Sequence, residues 1–395
     1  MAKIYKEIQE LGEIITGKTP STADETYWGG KIPFITPTDI NGFTTYYQES
    51  TERYVSPIGA AKQKKTLLPP NAVCVTCIAS IGKPCITKVA SITNQQINSI
   101  VANENNDYRY VYYLMRYNLP YMLTVAGGSG SGTPIISKNK FARFKFLVED
   151  DLCTQRAIAK RLSAYDNLIE NNRRRIAILE RKAEQLYKEW FVRRRKSVEK
   201  ASKESWCNYS IKELCHINHD TISAKASGSI LYLDTSSITG NKIATLESYD
   251  LRSAPGRARR KVKRNSIVYS IVRPNLKHHG IIKDAPANLI VSTGFAVLDA
   301  KHDIANVIYL FLSSQEVVDY CQMIAEGAVA TYPSIRPEDI GKLKMALPSI
   351  AEAEKWNREL EPLFTLASNL QRQNALLVKE RDLLLPRLMS GRLKP

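Results

Sequence analysis

Two stretches of this chain repeat apolar side chains in alternating steps of four and three residues. In the first, the stripe is Ile158, Leu162, Tyr165, Ile169, Asn172, Ile176, Leu179, Ala183, Leu186 and Trp190, and only Asn172 is polar. In the second, 198 residues further on, Trp356, Leu360, Leu363, Ala367, Leu370, Asn374, Leu377, Arg381, Leu384 and Leu388 take the same positions, with Asn374 and Arg381 as exceptions. Spacing of this kind, held over more than four heptads, makes a coiled-coil seam rather than one face on a globular core. A lone Asn in such a seam fixes register and partner choice at some cost in stability. Pro362 is expected to kink or delay the second helix, and Pro386 to end it. Two stripes of equal length most simply pair with each other. Packing of each helix on its own domain, or on another chain, is the alternative.

Ahead of each stripe lies a region of about 150 residues that mixes short strands and turns. Lys31–Thr36, Asn71–Ile78 and Phe141–Val148 are predicted strands in the first region. Ile230–Asp234, Ser266–Val272 and Lys342–Leu347 are their counterparts in the second. Turns are marked by Trp28-Gly29-Gly30, Asn41-Gly42, Pro69-Pro70-Asn71 and the stretch from Gly127 to Gly132. The offset of 198 that relates the seams also lays Ile32–Ile40 over Ile230–Ile238 and Asn94–Ile100 over Ser292–Leu298. Apolar positions coincide while polar ones differ, so the chain is one unit written twice. The boundaries this predicts are 1–150, 151–203, 204–348 and 349–395: domain, helix, domain, helix.

Charge adds a partner to this picture. The 395 residues include 56 Lys and Arg against 39 Asp and Glu, a surplus of +17. Such a surplus predicts an anionic partner, because neutralised phosphates release counterions whatever their sequence. Residues 151–200 alone hold fourteen Lys and Arg against seven Asp and Glu, densest at Arg173-Arg174-Arg175 and Arg193-Arg194-Arg195-Lys196. These runs face phosphate, an acidic partner, or simply solvent. The start of the sequence lacks the apolar stretch of a secretory signal, and no apolar run approaches the ~20 residues needed to span a bilayer. A soluble, cytoplasmic protein with no membrane partner is therefore expected. Seven cysteines without an export signal predict reduced thiols. Neither Cys74-x-x-Cys77 with Cys85, nor Cys207…Cys215-His216 with His219, has a second pair at zinc-finger spacing, so no metal is expected.

Catalytic patterns are missing from the sequence. It has no GxxxxGK[ST] loop, no G-x-S-x-G elbow, no H-E-x-x-H and no cofactor-binding Gly motif after a strand, so catalysis by this chain is not expected. Binding residues are plentiful instead. Arg257, Arg259, Arg260, Arg273, Asn275, Lys277, His278 and Arg336 lie in or beside Gly/Pro-containing loops of the second region. Lys18, Thr19, Thr38, Asp39, Lys83, Gln95, Gln96, Ser129, Ser131 and Thr133 are their counterparts in kind in the first. Lys and Arg grip phosphates, and Arg, Asn and Gln address base edges in pairs of hydrogen bonds, so this set suits nucleic acid.

Leu11-Gly12-Glu13-Ile14-Ile15-Thr16-Gly17-Lys18-Thr19-Pro20-Ser21, followed by Trp28-Gly29-Gly30-Lys31-Ile32-Pro33-Phe34-Ile35-Thr36-Pro37-Thr38-Asp39-Ile40, resembles the opening of a target-recognition domain of type I restriction-modification specificity subunits. Asn94-Gln95-Gln96-Ile97-Asn98 and the loop to Pro134-Ile135-Ile136 resemble the later motifs of that domain, and Gln155–Leu162 the start of its spacer helix. In the second copy Gly17-Lys18-Thr19-Pro20 has no clear counterpart near Asp220–Ser223. The resemblance implies an α+β protein of two α/β target-recognition domains separated by two long helices, which form an antiparallel coiled coil in a pseudo-two-fold repeat. It implies a non-catalytic subunit that reads double-stranded DNA and docks two modification subunits and the restriction (translocase) subunits. The complex would be an adenine-N6 DNA methyltransferase and type I endodeoxyribonuclease. S-adenosylmethionine, ATP and Mg would then belong to the partners and no cofactor to this chain. The first stripe, Ile158 to Trp190, is about 50 Å long as a helix. That matches a bipartite, asymmetric target with one half per domain. A coiled-coil scaffold whose basic charge is incidental is the competing reading.

Overall fold

The computed structural model describes residues 3–40, 46–127, 134–193, 206–223, 227–328 and 333–395. It divides into two compact units, residues 1–171 with 374–395 and residues 172–373. Each unit therefore contains one strand-rich domain and a portion of both long helices.

In the first unit, Lys3–Glu7 pairs antiparallel with Lys145–Glu149, closing the domain's two ends on each other. A five-stranded sheet runs in the order Gly12–Thr16, Ile97–Ala102, Val73–Thr76, Pro84–Thr87, Tyr47–Gln48. A four-stranded sheet runs Arg53–Val55, Trp28–Ile35, Ser91–Thr93, Leu67–Leu68. The second unit repeats this plan. Cys207–Ser210 pairs with Lys344–Leu347. Its sheets run Cys215–Ile217, Phe295–Ala300, Ile267–Ser270, His279–Ile281 and Glu247–Asp250, Ser229–Leu233, Leu289–Ser292, Ala258–Lys261. The parallel pair Phe34 with Ile92 recurs as Tyr232 with Ile290, both residues displaced by 198. The repeat seen in the sequence is thus a repeat of strand order and register.

Two differences from the sequence reading have local causes. Phe141 belongs to a short helix, Lys138–Ala142, because the Ser137 side chain accepts from Lys140 N, and the strand begins only at Lys145. Each domain also holds a helical pair that the turn-and-strand pattern does not announce: Tyr108–Tyr117 and Leu119–Gly127 in the first, Ala305–Leu312 and Gln315–Ala328 in the second. Asp107 starts the first of them by accepting from Arg109 N and Tyr110 N. Its aromatic residues Tyr110, Tyr112 and Tyr113 are fully buried against Val73, Val75 and Ile100.

The central helix spans Leu152–Tyr187 and ends in a π-helical turn, Lys188–Val192; the C-terminal helix spans Ile350–Ser390. Within the first unit, Ile158, Ala159 and Leu162 pack with Leu385, Leu388 and Met389, and Asn374 Nδ2 donates to the carbonyl of Ile169. Within the second, Asn172 Nδ2 donates to Gln373 Oε1 at 3.0 Å, Ile176 packs on Ala367 and Leu370, and Trp190 lies 5.7 Å from Trp356. Partners on one helix rise in number as those on the other fall, so the pairing is antiparallel in both units. Each helix also packs on its domain. Of the predicted stripe, Ile158, Leu162, Ile169, Asn172, Ile176, Leu360 and Leu370 are buried, while Tyr165, Leu179, Leu186, Leu363, Asn374, Leu377 and Leu384 are half-buried. Pro362 and Pro386 sit inside the C-terminal helix without ending it. Beyond Pro386 the buried Leu388 and Met389 hold the last turn onto the first domain's core.

Each unit buries one ionic network beside its helices. In the first, Arg381 pairs with Asp166 and, at 3.0 Å, with Asp382, which also accepts from Arg116. Burial works against the Arg381 charge, but Asp166 and Asp382 outweigh it and hold its pKa up. In the second, Lys283 and Arg264 meet Glu361 at 2.6 and 2.7 Å. Burial alone would raise the Glu361 carboxyl, yet hydrogen bonds from Asn306 and Lys283, with the Lys283 charge, bring it down to about 2.

Candidate nucleic-acid interface

Glycine and short polar turns bring most of the first domain's candidates together. A Cβ on Gly17 would stand 2.1 Å from the Asn94 carbonyl oxygen, so only glycine lets Gly17-Lys18-Thr19 lie against the Asn94-Gln95-Gln96 turn. Thr19 Oγ1 then donates to Gln95 Oε1 at 2.7 Å, and Asn94 Nδ2 to Gln96 Oε1 at 2.9 Å. Asn94 N donates to the carbonyl of Ile35, which brings in Thr36–Asp39. Asp39 accepts from Thr36 N, Thr36 Oγ1 and Glu52 N, so its carboxylate ties down the loop that exposes Thr38. Cys77 N donates to Gln96 O, Ala79 N to Pro134 O, and Ile136 N to Cys77 O. These bonds fasten the hairpin loop carrying Lys83 between the Asn94-Gln95-Gln96 turn and Pro134–Ile136. Lys18 and Gln95 are exposed, and Thr19, Asp39, Lys83 and Gln96 half-buried. Ser129, Ser131 and Thr133 lie outside the described residues.

The second domain builds the same frame from other side chains. Ile271 N donates to Gly294 O, Arg273 N to Pro333 O, and Ile335 N to Ile271 O, matching the three bonds of Cys77, Ala79 and Ile136. Thr293 N donates to Arg257 O, so the basic edge strand Ala258–Lys261 joins the same array. Arg257 and Arg259 are exposed on it. Arg260 is half-buried, burial lowers its pKa, and no hydrogen-bond partner among the described residues meets its Nη1. Arg273, Asn275 and Lys277 are exposed, and His278 half-buried with Nδ1 2.7 Å from the Ile238 carbonyl. Arg336 is exposed at the start of the helix Pro337–Lys342. Sequence reasoning passed over Ala79, exposed in the first hairpin loop; no charge, hydroxyl or amide marks it.

Among the described residues no group of three or more His, Cys, Asp or Glu side chains is placed to hold a metal ion, and no helix is long and apolar enough to cross a membrane. The cysteines are free thiols, with Cys153 and Cys207 exposed.

The chain is thus a duplicated α+β domain with polar loops on one hydrogen-bonded frame, combined with paired long helices. Residues 4–181 match the type I restriction modification DNA specificity domain. Over that stretch, just under half of its length, the chain resembles the type I restriction-modification specificity subunits. It is 27% identical over 411 aligned positions to the type I restriction enzyme MjaIX specificity subunit of Methanocaldococcus jannaschii, covering 98% of this chain and 93% of that protein. It is 31% identical over 144 residues to the HindI specificity subunit of Haemophilus influenzae, a match covering 36% of this chain and 31% of that one. The fold is that of the type I restriction-modification S subunit from M. genitalium, at a TM-score of 0.62 and 14% identity, with 98% of this chain and 96% of that one covered.

Proposed function

We propose that this chain is the DNA-reading, non-catalytic subunit of a type I restriction-modification complex, with each unit reading one half of a bipartite, asymmetric target. The observation that carries the reading is the loop frame built twice on one register but furnished differently: Lys18, Thr19, Gln95 and Gln96 in one unit, Arg257, Arg273, Asn275 and Lys277 in the other. Equal frames with unequal side chains suit two unlike half-sites. Phosphate contacts by Lys and Arg would set position, and Arg, Asn and Gln would read base edges. The paired helices would dock two modification subunits, with restriction subunits joining that assembly. S-adenosylmethionine, ATP and Mg would be bound by those partners. A scaffold with incidental charge has no use for two unlike loop sets on one frame. Single-molecule methylome sequencing of the host with and without this gene tests the proposal. Loss of one bipartite adenine-methylation motif on deletion is the expected result, and an unchanged methylome refutes it.

A further inference from the structure

Seven residues other than glycine hold a positive φ among the described residues, and four of them are Asn, which tolerates the left-handed region. The remaining three are Ala79, Arg273 and Lys277. All three fall in one structural place: the loop between Val73–Thr76 and Pro84–Thr87 in the first unit, and between Ile267–Ser270 and His279–Ile281 in the second. Ala79 and Arg273 are equivalent by their bonds to Pro134 and Pro333. Left-handed backbone at a residue with a Cβ carries a cost that surrounding structure must enforce, and such residues gather at binding sites.

The enforcement is visible in the second unit. Arg273, at φ 45°, is fixed by its N–H on Pro333 O and by Val272 bridging Ser334. Pro274–Leu276 makes a 3₁₀ turn, and Asn275 N donates to Gln322 Oε1. Lys277, at φ 54°, has its carbonyl held by Gly240 N, and its Nζ donates to exposed Gln315 Oε1 at 2.7 Å. Glycine would fit both positions without cost, yet the chain places there two exposed long cationic side chains on a rigid loop. Strain held at two basic residues, in the loop that lies next to the Ser292-Thr293-Gly294 turn, fixes where those side chains leave the surface.

We infer that Arg273 and Lys277 are the specificity-determining residues of the second unit, with Arg273 reading a guanine edge through its paired donors and Lys277 fixing register on an adjacent phosphate or base. This rests on the DNA-reading function proposed above. In the first unit the same place carries Ala79 and Ser80, so the discrimination supplied by a fixed guanidinium belongs to one half-site only.

The test is selection from a randomised duplex library by the full-length chain assembled with its modification subunits, followed by sequencing. Arg273→Gly removes the side chain and the strain together, so its thermal midpoint should equal or exceed that of the parent. Its selected consensus should relax at one position of one half-motif by roughly tenfold to a hundredfold while the other half-motif is unchanged. Arg273→Lys should keep the affinity and relax the same position, since an ammonium lacks the paired fork. Lys277→Gly should weaken the salt dependence or relax a neighbouring position of the same half-motif. An unaltered consensus in both Arg273 variants overturns the inference. Relaxation spread over both half-motifs overturns it too, and failure of the parent assembly to select any consensus instead refutes the DNA-reading function itself.

Discussion

At the scale of single residues, the two copies explain each other's buried charges. Asp166 and Arg381 form a buried ion pair in the first unit, both almost without exposure. Displaced by 198 residues, their counterparts are Phe364 on the C-terminal helix and Ala183 on the central helix, both in the second unit's apolar core. Equivalent positions of the two copies therefore hold a salt bridge in one unit and apolar side chains in the other. Removing one partner of a buried pair strands a charge and costs about 3–5 kcal/mol, whereas replacing both by packed apolar groups is near neutral or favourable. Asp166→Ala should accordingly lower the stability of the first unit, by no more than that amount because Asp382 still meets Arg381, with Tyr113 also losing the carboxylate it donates to. The double replacement Asp166→Phe with Arg381→Ala should recover most of the loss. Denaturant unfolding of the two variants beside the parent measures this, and a double variant as weak as the single one shows that the frames are not interchangeable here.

At the scale of elements, the long helices were legible because their signal accumulates over ten evenly spaced positions, and no loop imitates that. Their ends were less so. Pro386 breaks one hydrogen bond and crowds one carbonyl, a local cost that the burial of Leu385, Leu388 and Met389 outweighs. Pro386→Ala should restore the missing N–H and raise the unfolding midpoint, by up to about 3 kcal/mol of stability, with helix content by circular dichroism unchanged. A rise in helix content would mean that proline sets the end of the helix after all. The helix Tyr108–Tyr117 escaped sequence reading for the opposite reason: its tyrosines and valine favour strands in isolation, and burial on the sheet overrides that preference. In the binding frame, residue types were readable but convergence was not. Nothing in the spacing of Lys83, Gln95 and Pro134 announces that Cys77, Ala79 and Gly17 stitch them together. The left-handed state of Arg273 has no sequence mark at all, since Gly or Asn is what that backbone ordinarily selects.

At the scale of the whole molecule, most of the net charge lies outside the two domains that carry the candidate loops. Residues 1–150 carry sixteen Lys and Arg against twelve Asp and Glu, and residues 204–348 seventeen against fourteen, surpluses of four and three. Residues 151–203 carry fifteen against seven, so this segment alone supplies eight of the net seventeen charges. Phosphate attraction scales with the number of cations released, whereas sequence choice depends on loop side chains. Exchanging residues 1–150 for the matching domain of another specificity subunit should therefore leave the total affinity and most of its salt dependence in place while rewriting one half of the recognised motif. Each unit has its own sheets and its own buried core, which is what lets one be replaced without the other. Methylome sequencing of a strain carrying the chimera reads the motif, and a salt titration of duplex binding reads the charge. A chimera that alters both half-motifs shows that the two units do not read independently. One that alters a single half but loses most of its salt slope instead places the phosphate contacts in the loops of the exchanged domain rather than in residues 151–203.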